Sequence, residues 1–478
     1  MPPAPEPVDV KATARIAQQR QAHRDIPIPR DRRKDVARPP GPRTVATTRN
    51  MLRPTRAPWF IAELEREYPS VAHLKLFGSH RYVLNAPELV VELFVGNAHN
   101  TVKGPAFDAI RAFVGNGLLT AEGPTHLAHR RLAQPAFHRD RIAEYSRAMV
   151  ELTIDHEHSW SDGQQVDMSV DMSNLTLTIV GRALFGTDIS GSASEAGQAL
   201  RRTLHAMGRY ANLGSALWKY PSPARTKAAE ALATLDGVVN RIIAEHRATG
   251  NTGDILSLLL DAREEDLSFD DEQVRDEVLT LVIAGHETTA MAITWTWMLL
   301  AQHPAQAEWL HEELDTALGG RPPTMDDVSS LPRTRAAFAE SIRLYPPAWI
   351  YGRRLLTDIE LGGWTIPAGA NAMASPFAIQ RSPRWWDAPT AFVPSRWIDS
   401  TGAFDEHAPG VPRGAWLPFG FGNRKCIGEH FAWTEGTLIL ATLAQQWAPA
   451  MASSAPVQPE SAITLRPHGG MPMVLRRR

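Results

Sequence analysis

Two stretches of this chain concentrate residues able to do chemistry. The first, "PFGFGNRKCIG" at residues 418–428, holds the only cysteine, Cys426, among three glycines and two adjacent cations. The run after it, "EHFAWTEGTLILATLAQQ", reads as a helix, so the sulfur would stand at a helix N-terminus before unpaired amides, a setting that favours thiolate. Gly420, Gly422 and Gly428 clear side chains from around it and permit close approach of a large flat group. Phe419 can pack on such a group, and Arg424 can pair with an anion on it. A flat dianion that takes an axial thiolate is haem. Two plainer readings stand beside this one: a lone cysteine is most often a buried structural residue, and a thiol nucleophile could find a partner among the seventeen histidines. Neither accounts for the glycines.

The second stretch, "LVIAGHETTAMAITW", sets Ala284, Gly285, His286, Glu287, Thr288 and Thr289 inside an otherwise apolar helix. A threonine hydroxyl there can bond a carbonyl of the preceding turn, bend the helix and leave room for a small molecule; an ordinary buried helix with locally satisfied polar groups is the alternative. In "AESIRLYPP", Glu340 and Arg343 lie three apart on a predicted helix and can pair, which by itself is a weak signal because surface pairs of this kind are common.

Together these stretches resemble one family. Phe419-x-x-Gly422-x-Arg424-x-Cys426-x-Gly428 matches, without departure, the haem signature of the cytochrome P450 family, and Ala284-Gly285-His286-Glu287-Thr288 matches its Ala/Gly-Gly-x-Asp/Glu-Thr pattern. Glu340 and Arg343, with Arg396 in "FVPSRWID", resemble the family's buried Glu-Arg-Arg cluster, a structural support for the haem side. "EGPTHLAHRRLAQPAFHRDR" resembles the helix usually written Trp-x-x-x-Arg, with His126 in place of the tryptophan and Arg130 four residues on; Arg353 resembles a further propionate-binding arginine. The resemblance implies a mainly α protein with small β-sheets, the P450 fold. It implies haem b with Cys426 as the metal ligand, and Phe419, Gly422, Arg424, Gly428, His126, Arg130, Arg353, Ala284 and Gly285 as further cofactor contacts. Glu287 and Thr288 become the acid–alcohol pair that delivers protons, while His286 falls at the family's variable position.

The implied reaction is insertion of one oxygen atom from O2 into a C–H bond or across a C=C bond, with two electrons used and one water released. Retention of the acid–threonine pair weighs against a peroxide-driven enzyme and against a haem protein with no turnover. The short stretch after Cys426 is expected to leave no room for a fused reductase, so electrons are expected from NAD(P)H through a separate ferredoxin and ferredoxin reductase. Arg130, Arg131, Arg139, Arg141 and Lys425 are the candidate docking cations. By the same resemblance, substrate contacts fall on Phe107, Phe113, Met207, Tyr210, Trp218, Ala284, Trp349, Ile350 and Met471, a mainly apolar and aromatic set that also suits a plain core. "ELGGWTIPAGANAMASPFAIQRSP" and "ITLRPH" are similar to bacterial members that oxidise terpenes, which makes a terpene-like substrate the leading expectation, with fatty acids and aromatic or peptide-derived natural products as alternatives.

The elements that must position these residues are mostly helical, at about 138–160, 225–248, 271–302, 304–318, 333–344 and 428–447. Short strands are expected at "VAHLKLF" and "RYVLN" across "GSH", and at "RRLLTDIEL" and "WTI" across Gly362-Gly363. Residues 1–44, rich in proline and basic residues and closing near "RPPGPR", read as an extension before a single domain over 45–478. With 43% hydrophobic and 21% charged residues and a formal net charge of -2, bulk attraction to nucleic acid or anionic lipid is not expected. One cysteine excludes an intramolecular disulfide and a cysteine-rich metal site. No apolar run long enough to span a bilayer and no signal-peptide core are present, so a cytoplasmic monomer is expected.

Overall fold

The computed structural model describes residues 26–29, 37–186, 202–203, 206–207, 222–250, 253–262, 268–408 and 410–478. Tyr210, Trp218 and most of the N-terminal extension lie outside the described residues. The chain divides into two compact units, one drawn from residues 1–27, 103–136 and 180–284, the other from 28–102, 137–179 and 285–478.

The larger unit carries a five-stranded sheet in the order Val71–Leu76, Ser79–Leu84, Asn371–Ala374, Tyr351–Leu355, Thr101–Lys103. The first two strands form a hairpin with Leu76 opposite Ser79. Its turn falls at Phe77 and Gly78 (φ 49° and 77°) rather than at "GSH", because a two-residue turn with both φ positive follows the strand twist and lets Ser79 and His80 extend the ladder. "RRLLTDIEL" divides in two: Tyr351–Leu355 joins the large sheet, and Ile359–Leu361 pairs with Trp364–Ile366 around Gly362 and Gly363 (φ 60° and 78°). Between the two, the Asp358 carboxylate accepts from the Ala368 amide at 2.9 Å. The "RPPGPR" segment is tied to the sheet edge, where the Pro40 carbonyl accepts from the His73 amide at 3.0 Å and a methyl at Gly41 would collide with the His73 carbonyl.

Helices Arg139–Glu157 and Pro332–Leu344 pack on Glu429–Leu443, in which Phe431 and every residue from Trp433 to Leu443 are buried. A helix apolar on all sides belongs in the middle of a core. Gly436 permits the approach there, since a Cβ would run into the Phe338 ring. In the smaller unit, Pro105–Val114 and the first turns of the long helix Asp271–Gln302 are joined through Asp276, whose carboxylate accepts from the Asn116 amide at 2.6 Å and is bound by Arg275, which also reaches the Phe113 carbonyl at 3.3 Å. The protein is thus mainly α with small sheets. Among the described residues, no helix is long and apolar enough to cross a membrane.

Candidate active site

The cysteine loop lies wholly in the larger unit. Gly420 (φ 72°) and Gly422 (φ 67°) turn the chain through left-handed backbone that other residues avoid. A Cβ on Gly422 would strike the Phe94 carbonyl, so the loop can lie this close only with glycine. The Cys426 amide donates to the Phe419 carbonyl at 2.9 Å and closes the loop, and the following helix opens at Glu429 with Gly428 as its N-cap. Cys426 is exposed, unlike the ordinary buried structural cysteine. Phe419 stands edge-on to Trp433 at 5.6 Å, Arg424 is half-buried, and Lys425 pairs with Glu429 at 2.5 Å. Arg353, on the strand beside this loop, sets its guanidinium over the Phe94 ring at 4.7 Å.

The long helix runs buried from Leu281 to Trp295 except at Ala284, which is exposed, and at Gly285 and Thr288, which are half-buried. Positions three and four apart share a helix side, so Thr288 lies one turn on from both Gly285 and Ala284, and the enclosed stretch is interrupted on that side at these three residues. The Gly285 carbonyl accepts from the Thr289 hydroxyl at 3.3 Å and the His286 carbonyl from the Thr176 hydroxyl at 3.1 Å. Oε1 of Glu287 accepts from the Thr464 hydroxyl at 2.9 Å and from Arg466 at 2.6 Å, while its Oε2 is buried without a partner. Thr464 and Arg466 belong to the hairpin Pro459–Ser461/Leu465–Pro467. Behind the helix, Glu435 is fully buried, and burial pushes its carboxyl up to about 8; the Thr289 hydroxyl opposes this only in part, being committed to the Gly285 carbonyl.

Glu340, Arg343 and Arg396 meet in one cluster. Both Glu340 oxygens pair with Arg343 at 2.8 Å, Arg396 adds a bond at 3.1 Å, and the Trp397 indole and the Val393 amide donate at 2.9 and 3.0 Å. Arg343 spends its remaining donors on the carbonyls of Gln380, Pro389 and Ala391, so a pair with no solvent exposure leaves no charge unanswered.

In the smaller unit, His126 is buried on the helix Gly123–Ala133 and Arg130 is half-buried one turn on. His129, also buried on this helix, faces Glu277 at 2.8 Å, and burial raises the Glu277 carboxyl above its ordinary range. Of the apolar residues named from sequence, Phe107 is half-buried under Lys103, Ile350 is half-buried and Ala284 is exposed. Phe113, Met207 and Met471 are completely enclosed, and Trp349 sits in the core beside Leu74 and Phe377 with its indole N–H on the Ala462 carbonyl at 3.3 Å. Sequence reasoning did not find Tyr351, Trp397, Glu435, Thr464 or Arg466. Trp397, Glu435, Thr464 and Arg466 lay inside stretches already quoted, without a role assigned to them, and Tyr351 lay outside all of them.

A family model for Cytochrome P450 matches residues 39–471. Among similar proteins, cyclooctat-9-en-7-ol 5-monooxygenase of Streptomyces melanosporofaciens is 37% identical over 434 residues, covering 87% of this chain and 91% of that protein. Cyclooctatin synthase of the same organism is 36% identical (81% and 84% covered), and pentalenene oxygenase of Streptomyces avermitilis 34% identical (80% and 85% covered). The crystal structure of the cytochrome P450DA heme domain superposes with a TM-score of 0.82 at 27% identity, over 93% of this chain and 98% of that one. The chain belongs to the cytochrome P450 family. It is a monooxygenase that works with haem b and O2, and members of this family take electrons from redox partners and act on small hydrophobic substrates. The residues on the larger unit suit that group: an exposed thiol for the iron, a glycine cradle beside it and an arginine for a propionate.

Proposed function

We propose that Cys426 is the axial ligand of the haem, that Phe419, Gly422, Arg424 and Gly428 shape the ligand loop, and that His126, Arg130 and Arg353 hold the propionates, with Ala284 and Gly285 lining the oxygen side. When bound, the haem thiolate supplies O2 activation and oxygen insertion. Glu287 and Thr288 supply protons from the long helix: Oε2 of Glu287 takes up the proton while Thr464 and Arg466 hold Oε1, and Thr288 stands half-buried one turn on from Ala284 and Gly285. Glu340, Arg343 and Arg396 are structural. The substrate is a terpene-like hydrocarbon, a reading supported by relatives named for cyclooctat-9-en-7-ol and pentalenene. Phe107, Ala284 and Ile350, which keep accessible surface, rank ahead of Phe113, Met207, Trp349 and Met471 as its contacts. A ferredoxin and its reductase supply the electrons, and the family match from residue 39 to 471 supports treating 45–478 as one P450 domain.

The observation that carries this reading is an exposed lone cysteine in a loop that only glycines can shape. Reduced protein under CO should show the red-shifted Soret band of a thiolate haem, and Cys426→Ala should lose it; a band that survives the substitution removes Cys426 as the ligand.

A further inference from the structure

Tyr351 opens the strand that carries Arg353 and is paired there with Ala374. Its hydroxyl leaves the sheet and enters the cysteine loop, where it donates to the carbonyls of Leu417 at 3.1 Å and Pro418 at 3.3 Å. One hydroxyl therefore ties two consecutive residues, Leu417 and Pro418, immediately before the segment closed by the Cys426 amide on the Phe419 carbonyl. The ring is wedged edge-on against Phe94 at 6.4 Å, and Phe94 is the residue whose carbonyl meets Gly422 and whose ring carries Arg353.

We infer that Tyr351 is a positioning residue for the cysteine ligand, a polar latch that pins the N-terminal limb of the loop to the sheet and holds Cys426 where a metal can be bound. Loop backbone beside the left-handed turns at Gly420 and Gly422 has few internal bonds of its own. Within the loop, the Cys426 amide on Phe419, the Lys425 amide on Gly422 at 3.1 Å and a long Gly420 contact to Leu417 at 3.4 Å are the backbone ties. Glycine adds conformational freedom that an external tie must restrain. Tyrosine suits this task because the phenol is rigid and stays protonated: burial pushes its pKa above the ordinary range, so it remains a donor across the working pH. The inference rests on Cys426 being the haem ligand.

The test uses full-length haem-loaded protein, comparing wild type with Tyr351→Phe, which keeps the ring and loses only the latch. Ferrous CO complexes are followed in mild urea for conversion of the thiolate-type Soret band to the shorter-wavelength form in which thiolate ligation is lost. Far-UV circular dichroism of the same samples gives the global unfolding midpoint. Tyr351→Phe should convert about 2- to 12-fold faster, the factor expected from the net contribution of one hydrogen bond, at an unchanged global midpoint. Equal conversion rates overturn the latch, as does a faster conversion that tracks an equally lowered global midpoint, which would make Tyr351 an ordinary packing residue. A wild type with no thiolate-type band fails the ligand assignment instead, and the latch falls with it. If Tyr351→Phe folds without retaining haem, Tyr351→Leu and Tyr351→Phe are compared for haem affinity: equal losses support the hydroxyl as the working group, and a larger loss in Leu alone points to packing.

Discussion

Thr288 and Thr289 are neighbours in sequence that occupy opposed settings. Thr289 is buried, and its hydroxyl is spent on the Gly285 carbonyl, while Thr288 is half-buried one turn on from Ala284 and Gly285. If Thr288 feeds a proton to reduced oxygen, its loss should leave haem content and substrate binding intact and change only the fate of oxygen. Thr288→Ala should consume NAD(P)H with several-fold less product per reducing equivalent and correspondingly more hydrogen peroxide, whereas Thr289→Ala should alter stability more than coupling. The ratio of product to NAD(P)H, with peroxide yield, is the measurement. Equal ratios in wild type and Thr288→Ala would take Thr288 out of the mechanism. Glu287 differs from a free surface acid for a related reason: one oxygen is committed to the hairpin and the other is not, an asymmetry suited to a group that must pick up and release a proton.

At the scale of elements, the helix Glu429–Leu443 carries an unusual burden in Glu435, a carboxyl with no exposed surface whose pKa is raised to about 8 by burial. The folded state keeps this proton while the unfolded chain releases it near the ordinary carboxyl value of 4.5. Below that value both states are protonated and folding carries no penalty. Stability therefore falls as pH rises through the window from about 4.5 to about 8, by roughly 3–5 kcal/mol in all. Glu435→Gln, similar in shape and without a proton to lose, should match wild type near pH 5 and exceed it near pH 8. Urea unfolding at several pH values reads this directly, and parallel profiles for the two proteins would show that Glu435 does not titrate as its burial demands. The Glu340 cluster is the contrasting case, since every charge there is answered by a partner.

Over the whole molecule the charge is nearly balanced, at -2, so an electron donor must find a local patch rather than a net attraction. Within the larger unit, Arg139 and Arg141 begin the helix that packs on Glu429–Leu443, the element that follows Lys425. Arg141 and Lys425 already hold partners, the exposed Glu144 at 2.7 Å and the half-buried Glu429 at 2.5 Å. Such surface pairs contribute little and give way to a stronger acidic partner. Reversing Arg139 and Lys425 to Glu should slow haem reduction by a ferredoxin about tenfold or more at low salt and flatten its ionic-strength dependence, with substrate affinity unchanged. Stopped-flow reduction across a salt series checks it, and unchanged kinetics would relocate the docking face.

The sequence by itself determined what is contiguous. Glycines at 420, 422 and 428 around Cys426, and the polar interruption from Ala284 to Thr289, are patterns in which a few neighbouring residues carry both the geometry and the chemistry. Several of the longer helices were readable for the same reason, since apolar spacing is a local property: the stretches expected at 271–302 and 304–318 are helices Asp271–Gln302 and Pro304–Leu318, whereas Ala57–Glu67, Pro105–Val114 and Met168–Phe185 were given no bounds from sequence. What only the tertiary structure decided is which distant group answers which. The hydroxyl of Tyr351 meets a carbonyl 66 residues away, and Arg466 reaches an acid 179 residues away. The turn at Phe77 and the division of "RRLLTDIEL" between two sheets were likewise decided by pairing partners, not by the segments themselves. Such contacts leave no period or spacing in the chain, because their free energy comes from burial and geometry that exist only once the elements have packed.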